Sequence, residues 1–379
     1  MGEAYFTEWL DGFYARALDA GVPQTLLDRS LAGLSPDPRV VALDARQPEF
    51  ARPISQYIMG AVNAQRIALG RAKRAAIPQF PEIERAWGVP RDILIAIWAM
   101  ETNFGVQMGG MDIIRCLASL AALGRRRPWA EHELISAFRM LQQGDVSRER
   151  LKGSWAGAMG QTQMLPSTYL ELAVDGDGDG RRDIWGSAPD ALASAAHLLA
   201  KSGWTRDQDW AREVRLPAGF DYGLSEGPTE IPSWWRERGV VRADGRGWTH
   251  TDAEAPCVLL LPAGAAGPAL LALPNHFVIR KYNNSLAYAL AVGLLADGFA
   301  GGGGLIRPWP AETPLSLNDR MAAQAALAKA GYSPGTPDGV IGLGTRQALR
   351  AWQKANGLPA DGYLSRQMVA RLTGGAPSH

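Results

Sequence analysis

Cysteine is nearly absent from this chain. The two present, Cys116 and Cys257, could form one disulfide or none, too few to indicate a redox compartment. Net charge is also missing. Thirty-nine Lys and Arg stand against 38 Asp and Glu, so no whole-chain field draws the protein toward nucleic acid. No apolar run reaches 18 residues, which excludes a membrane-spanning helix. Glu3, Glu8, Asp11 and Asp19 exclude a retained secretory signal peptide within the first 20 residues. What remains is a 379-residue globular chain, long enough for two or three domains, with an excess of tryptophan (13) suited to cores or to stacking on sugar rings.

The most informative stretch runs from Ile93 to Gly105. Eight uncharged residues, six of them large and apolar, lead into Glu101. A helix that is apolar all round is normally buried, and Pro90 and Asp92 mark its start. Glu101 then falls at a helix C-terminus in low dielectric. Both circumstances favour the protonated acid, the form a general acid needs. The alternative is an exposed Glu at a fraying helix end.

Around this stretch the chain reads as helical. Short helices are expected over 3–50, helical spacing over Ile54–Ile77, and further helices over about Asp112–Leu123 and Trp129–Gln143. Arg125-Arg-Arg127 lies between the last two and reads as a solvated charge run. Residues 153–166 combine glycines and alanines with Ser154, Gln161, Thr162 and Gln163. Such a loop either allows close approach to a neutral sugar or is a structural loop.

Asp175, Asp177 and Asp179, with Gly180 sixth in the series, match the start of an EF-hand calcium loop. The Arg181 carbonyl would be seventh and Asp183 ninth, but Gly186 stands where a bidentate Glu is wanted. Ser187 is expected to cap the next helix. Helical periodicity fails over about 204–275, where Val258–Leu261 and Ala269–Leu273 look like a hairpin within a small antiparallel sheet. Helix returns at Ser285–Leu295. Residues 304–313 read as a linker, introduced by Gly301–Gly304 and containing Pro308 and Pro310. Beyond it, Asp338-Gly339 and Asp361-Gly362 each precede a helix, with Thr345 and Ser365 as expected caps, in a module small enough to be a binding domain.

Ala99-Met-Glu-Thr-Asn-Phe-Gly105, Gly153-Ser-Trp-Ala-Gly-Ala-Met-Gly-Gln-Thr-Gln163, and Tyr282-Asn283 with Tyr288 resemble the lytic murein transglycosylase B group, glycoside hydrolase family 103. Residues 314–374 resemble a helical peptidoglycan-binding domain. The resemblance implies a mainly α fold, with a lysozyme-like catalytic domain over 1–303, a small antiparallel β insertion and a three-helix C-terminal domain. It implies cleavage between N-acetylmuramic acid and N-acetylglucosamine, with Glu101 as the single catalytic acid. Substrate contacts fall on Ser154, Gln163, Tyr282, Asn283 and Tyr288, and more loosely on Tyr57, Arg125, Arg126 and Gln161. Asp175, Asp177, Asp179, the Arg181 carbonyl and Asp183 would form a structural calcium loop; catalysis needs no cofactor. The implied partners are glycan strands and stem peptides, met by a monomer in the periplasm.

Ordinary glycosidases use two carboxylates, whereas these motifs supply one. A single acid suffices if the 2-acetamido group stabilises the developing cation and the muramyl 6-hydroxyl closes a 1,6-anhydro ring. The alternatives are a muramidase-type hydrolase with the same site and a non-catalytic, calcium-dependent wall-binding protein.

Overall fold

A computed structural model describes residues 2–45 and 52–374. About 53% of the chain is helical, and 18 α-helices and two small antiparallel sheets are found among the described residues. The chain forms two compact units, residues 1–47 with 68–202 and residues 48–67 with 203–379.

The first unit is built on α7 (Arg91–Thr102), whose residues Ile93 to Ala99 are all buried. The unbroken apolar run has this physical outcome: no face of the helix is polar enough to meet water. Also in this unit are α1 (Gly2–Asp19), α8 (Ile113–Leu123) and α9 (Arg127–Gln143). Phe6, Phe13, Ile113, Leu117, Leu134 and Phe138 fill a shared core. Asp112 caps α8 by accepting from the Arg115 N–H. A two-residue bridge pairs β1 (Met111–Asp112) with β2 (Lys152–Gly153). Two further helices follow, α10 (Pro166–Leu172) and α11 (Ala188–Lys201), the latter capped by Ser187 as expected.

The second unit holds a four-stranded antiparallel sheet in the order β4-β3-β6-β5. Its strands are β3 (Ala211–Arg215), β4 (Val241–Arg242), β5 (Val258–Leu260) and β6 (Ala269–Ala272). The expected hairpin is β5 with β6, Val258 facing Ala272 and Leu260 facing Leu270. Trp235, Cys257, Leu259 and Leu271 form the core beneath it. Two helices follow, α14 (Pro274–Tyr282) and α15 (Leu286–Phe299), the second capped by Ser285. The C-terminal helices are α16 (Leu317–Lys329), α17 (Leu343–Ala355) and α18 (Arg366–Thr373). They enclose their own core of Ala323, Leu327, Leu349 and Val369.

Two helical expectations are corrected, and two further features are defined. The Ile54–Ile77 stretch is two helices, α4 (Ile54–Ala61) and α5 (Ala64–Ala75). Asn63 breaks it by donating to the Gly60 carbonyl and accepting the Arg66 N–H, a local bond that competes with the helix. Thr345 is not a cap: Gly342 holds that position, and the buried Thr345 hydroxyl donates to the Pro334 carbonyl. Residues 304–313 do not hang free. Glu213 accepts the N–H groups of Ile306 and Arg307 at 2.6 and 2.7 Å, and Glu312 accepts from Ser55 Oγ. Cys116 and Cys257 are both free and buried, each thiol pushed up to about 12 by desolvation.

Candidate active site

Glu101 lies in the last turn of α7 and is half-buried. The helix ends there because Asn103 turns left-handed (φ 49°), and its N–H returns to the Ala99 carbonyl. Phe104 (φ 61°) and Gly105 (φ 83°) continue in the same region. A bulky residue with positive φ is strained. Phe104 is held there because its ring is buried edge-on against Trp98, with centroids 5.7 Å apart. Gly105 is suited to this left-handed position because it has no Cβ, which would be strained there and would come within 2.7 Å of Gln161 Oε1.

Thr102 joins this helix end to the next segment of the site. Its buried hydroxyl donates to the Gln161 carbonyl at 2.5 Å and accepts the Gly105 N–H at 2.9 Å. The Thr102 carbonyl accepts the Gln107 N–H at 2.8 Å. Downstream, Ser154 Oγ accepts the Ala158 N–H at 3.1 Å, which leaves the hydroxyl proton to be donated. Gln163 (φ 54°) spends its side-chain N–H groups on the carbonyls of Met108 and Gly160, both at 3.0 Å. Its Oε1 takes no part in those bonds. Ser154 and Gln163 thus offer one donor and one acceptor with no net charge.

The glycines of this segment meet protein. A Cβ on Gly153 would come within 2.1 Å of the Ala158 carbonyl oxygen, one on Gly157 within 2.7 Å of Leu117, and one on Gly160 within 2.7 Å of Ile184. Here the loop's small residues serve packing. Gln161 is correspondingly only 6% exposed, and its amide donates to the Trp185 carbonyl. That leaves little surface for the substrate contact expected of it.

Other buried carboxyls of this unit are bonded within the protein. Glu133 accepts from the Ser167 N–H and hydroxyl, Asp37 from Arg39, and Asp44 from the Arg125 N–H. The arginine run is accordingly not merely solvated. Arg125 also donates to the Asp44 carbonyl, Arg126 lies over the Trp129 ring at 4.3 Å, and Arg127 donates to Tyr5.

In the second unit, Tyr282 is the last residue of α14, and Asn283 follows as its cap in extended backbone. Tyr288 sits in the first turn of α15 at 3% exposure. Burial restricts its expected role as a cleft tyrosine. Tyr57 is half-buried on α4.

In the acidic loop, side-chain oxygens of Asp175, Asp177, Asp179 and Asp190 lie within 4.8 Å of one another. Asp190, not Asp183, is the fourth carboxylate. Asp183 instead accepts from Arg150, Trp185 N–H and Gly186 N–H. Asp190 is fully buried and accepts the N–H groups of Gly176, Asp177 and Asp183. Desolvation, helped by the Asp177 charge, raises its pKa. Asp175 moves the other way, chiefly because it accepts the Gly180 N–H. Carboxylates this close repel one another without a cation, and an all-oxygen donor set suits calcium.

A half-buried carboxyl at the end of a buried helix, in a mainly helical chain, is an arrangement suited to the general acid of a glycan-cleaving enzyme. Residues 5–297 match the family described as "Transglycosylase SLT domain", and residues 316–372 match a peptidoglycan binding domain. The chain belongs to this family of lytic transglycosylases and carries that second domain at its C-terminal end. Membrane-bound lytic murein transglycosylase B of Escherichia coli is 33% identical over 229 residues, 58% of this chain and 60% of that protein. The match thus spans about 60% of the length of that relative. SltB3 from Pseudomonas aeruginosa, solved in complex with NAG-anhNAM-pentapeptide, is 47% identical, with a TM-score of 0.92 over 97% of this chain and 99% of that one. The Escherichia coli lytic transglycosylase Slt35, solved in complex with calcium, is 25% identical, with a TM-score of 0.67 over 79% of this chain and 93% of that one.

Proposed function

We propose that this protein cleaves the β-1,4 bond between N-acetylmuramic acid and N-acetylglucosamine in peptidoglycan without using water. One observation carries the reading. Glu101 ends a buried helix, and the turn that follows it is closed by bonds among the neutral groups of Thr102, Gly105, Gln107 and Gln161. No second carboxylate is offered from that segment, and a substrate-assisted route needs none.

Glu101 gives its proton to the bridging oxygen as the muramyl C1–O bond breaks. The carbonyl oxygen of the 2-acetamido group stabilises C1 in the interim. The 6-hydroxyl oxygen then bonds to C1 while its proton passes to Glu101, which returns to its starting state. The product is a 1,6-anhydromuramyl end. Positioned acid–base catalysis supplies roughly 10²–10⁴-fold. Substrate positioning must add the rest, a role that the family resemblance assigns to Ser154, Gln163, Tyr282 and Asn283. Arg125, Arg126 and Tyr57 are secondary candidates. The SltB3 complex with NAG-anhNAM-pentapeptide supports an anhydro product for a similar chain.

The acidic loop would hold calcium through Asp175, Asp177, Asp179 and Asp190, with the Arg181 carbonyl as a further oxygen. Calcium there would neutralise the cluster and fix the loop between α10 and α11; it takes no part in bond cleavage. A wall substrate places the protein's work in the periplasm, and no described helix is long and apolar enough to cross a membrane. Digestion of purified sacculi followed by mass spectrometry tests the reading. Anhydro ends, one water lighter than hydrolytic ends, are expected. Hydrolytic ends would make the protein a muramidase, and no product would make it a wall-binding protein.

A further inference from the structure

Val106 is the most exposed large apolar side chain among the described residues, at 74%. Isolated apolar residues on a surface are ordinary. The loop that displays this one is not. Asn103, Phe104 and Gly105 are consecutive left-handed residues, and at the two non-glycine positions such backbone costs free energy unless it is over-determined. The loop is over-determined at several points. Phe104 is sunk against Trp98, and Gly105 N–H is tied to Thr102 Oγ1. Gln107 N–H is tied to the Thr102 carbonyl, and the Met108 carbonyl accepts from Gln163. A Cβ on Gly109 would come within 2.3 Å of the Gly153 carbonyl oxygen, so these backbones touch just ahead of Ser154.

The Thr102–Gln107 bond closes a six-residue turn beginning one residue after Glu101. Val106 is therefore held beside the end of the Glu101 helix, on a rigid support, with its side chain in solvent. The segments that touch this loop at Met108 and Gly109 carry Gln163 and Ser154, which offer an acceptor and a donor. A rigidly held contact loses little freedom on binding.

We infer that Val106 is a specificity contact for the methyl group of an acyl or ether substituent on the sugar bound next to Glu101. The inference rests on the proposed reaction. Two kinds of substituent carry such a methyl, the acetamido group of either sugar and the lactyl ether of the muramyl residue. Val106 touches substrate by shape alone and moves no proton, so it should govern binding rather than turnover.

The test uses the full chain as wild type, Val106→Ser and Val106→Ile, with soluble muropeptide oligomers as substrate and chito-oligosaccharides as competitors. Val106 is exposed, so neither change disturbs the core. Losing a small apolar contact is worth about tenfold in discrimination. Val106→Ser should therefore raise KM about tenfold with kcat little changed, and Val106→Ile should behave as wild type. If the Ki of chito-oligosaccharides rises in parallel, the methyl is the acetamido one; if only muropeptide KM rises, it is the lactyl one. An unchanged KM in Val106→Ser, or an equal loss in Val106→Ile, would overturn the inference. If wild type gives no anhydro product, the reaction is what fails. Calorimetric Kd values for the same oligomers would still decide the role of Val106: weaker binding by Val106→Ser supports it, and equal binding overturns it.

Discussion

Thr102 Oγ1 lies 2.5 Å from the Gln161 carbonyl oxygen, a bond that fastens the end of the Glu101 helix to the segment carrying Ser154 and Gln163. The same hydroxyl accepts from Gly105. Thr102→Val keeps the shape but strands a buried carbonyl and an N–H. Leaving such groups unmade costs about 1–3 kcal/mol each. Urea unfolding should show a loss of that size, and kcat should fall because the strained turn after Glu101 loses its support. Full activity with a normal unfolding midpoint would show that the turn holds itself.

The calcium prediction separates two aspartates. Calcium should raise the melting temperature of wild type in a concentration-dependent way. Asp177→Asn, within the four-carboxylate cluster, should abolish that response. Asp183→Asn, whose carboxylate is spent on Arg150 and two backbone N–H groups, should retain it. Loss of the response in both variants would return Asp183 to the ligand set.

The helix ending in Glu101 was legible in the sequence because its signal is local. An apolar run with no polar stripe must be buried, and a carboxyl at its end follows. The strand pair Val258–Leu260 and Ala269–Ala272 was legible for the same reason. The acidic loop was only half legible. Loop numbering pointed to Asp183, but the cluster is completed by Asp190, which reaches back from the first turn of the next helix once it is folded. Its sequence signal was only an Asp three residues after a capping Ser. The glycines near Ser154 show a similar limit: a run of small residues announces close approach, but tertiary contacts alone say whether a ligand or Leu117 and Ile184 fill the space.

His276 has no counterpart in the sequence reading. Its ring is fully buried, stacked 6.2 Å from Trp210, and neither ring nitrogen has a hydrogen-bond partner among the described residues. Burial, and then the nearby Arg280 charge, push its pKa down to about 3. The unfolded chain takes up this proton near the ordinary pKa of about 6.5, whereas the fold refuses it. Stability is thus fully present above about pH 6.5 and is lost as pH falls toward about 3, by up to about 1.4 kcal/mol per pH unit. His276→Phe should flatten that slope, read from urea midpoints at about pH 7.5 and about pH 5. Parallel slopes in both proteins would contradict the assignment.

Glu226 makes the C-terminal helices part of the second unit rather than a loose appendage. In left-handed backbone (φ 56°), it accepts from Arg346 at 2.8 and 2.9 Å and from Arg350 at 2.7 Å. Desolvation works against its charge, but the two guanidiniums outweigh it and lower its pKa. The Ala265 N–H adds a second contact, to Asp361. Glu226→Ala should leave two arginines without their partner and speed proteolysis within residues 301–314. Unchanged cleavage would mean that other contacts hold the module.

The central claim is that Glu101 alone carries the proton in both directions. Glu101→Gln keeps the volume of the side chain but can neither give nor regain a proton. Assayed on sacculi with mass-spectrometric detection, it should release no 1,6-anhydromuramyl product while keeping the wild-type melting temperature and sacculus binding. Anhydro product formed within tenfold of the wild-type rate would contradict the account.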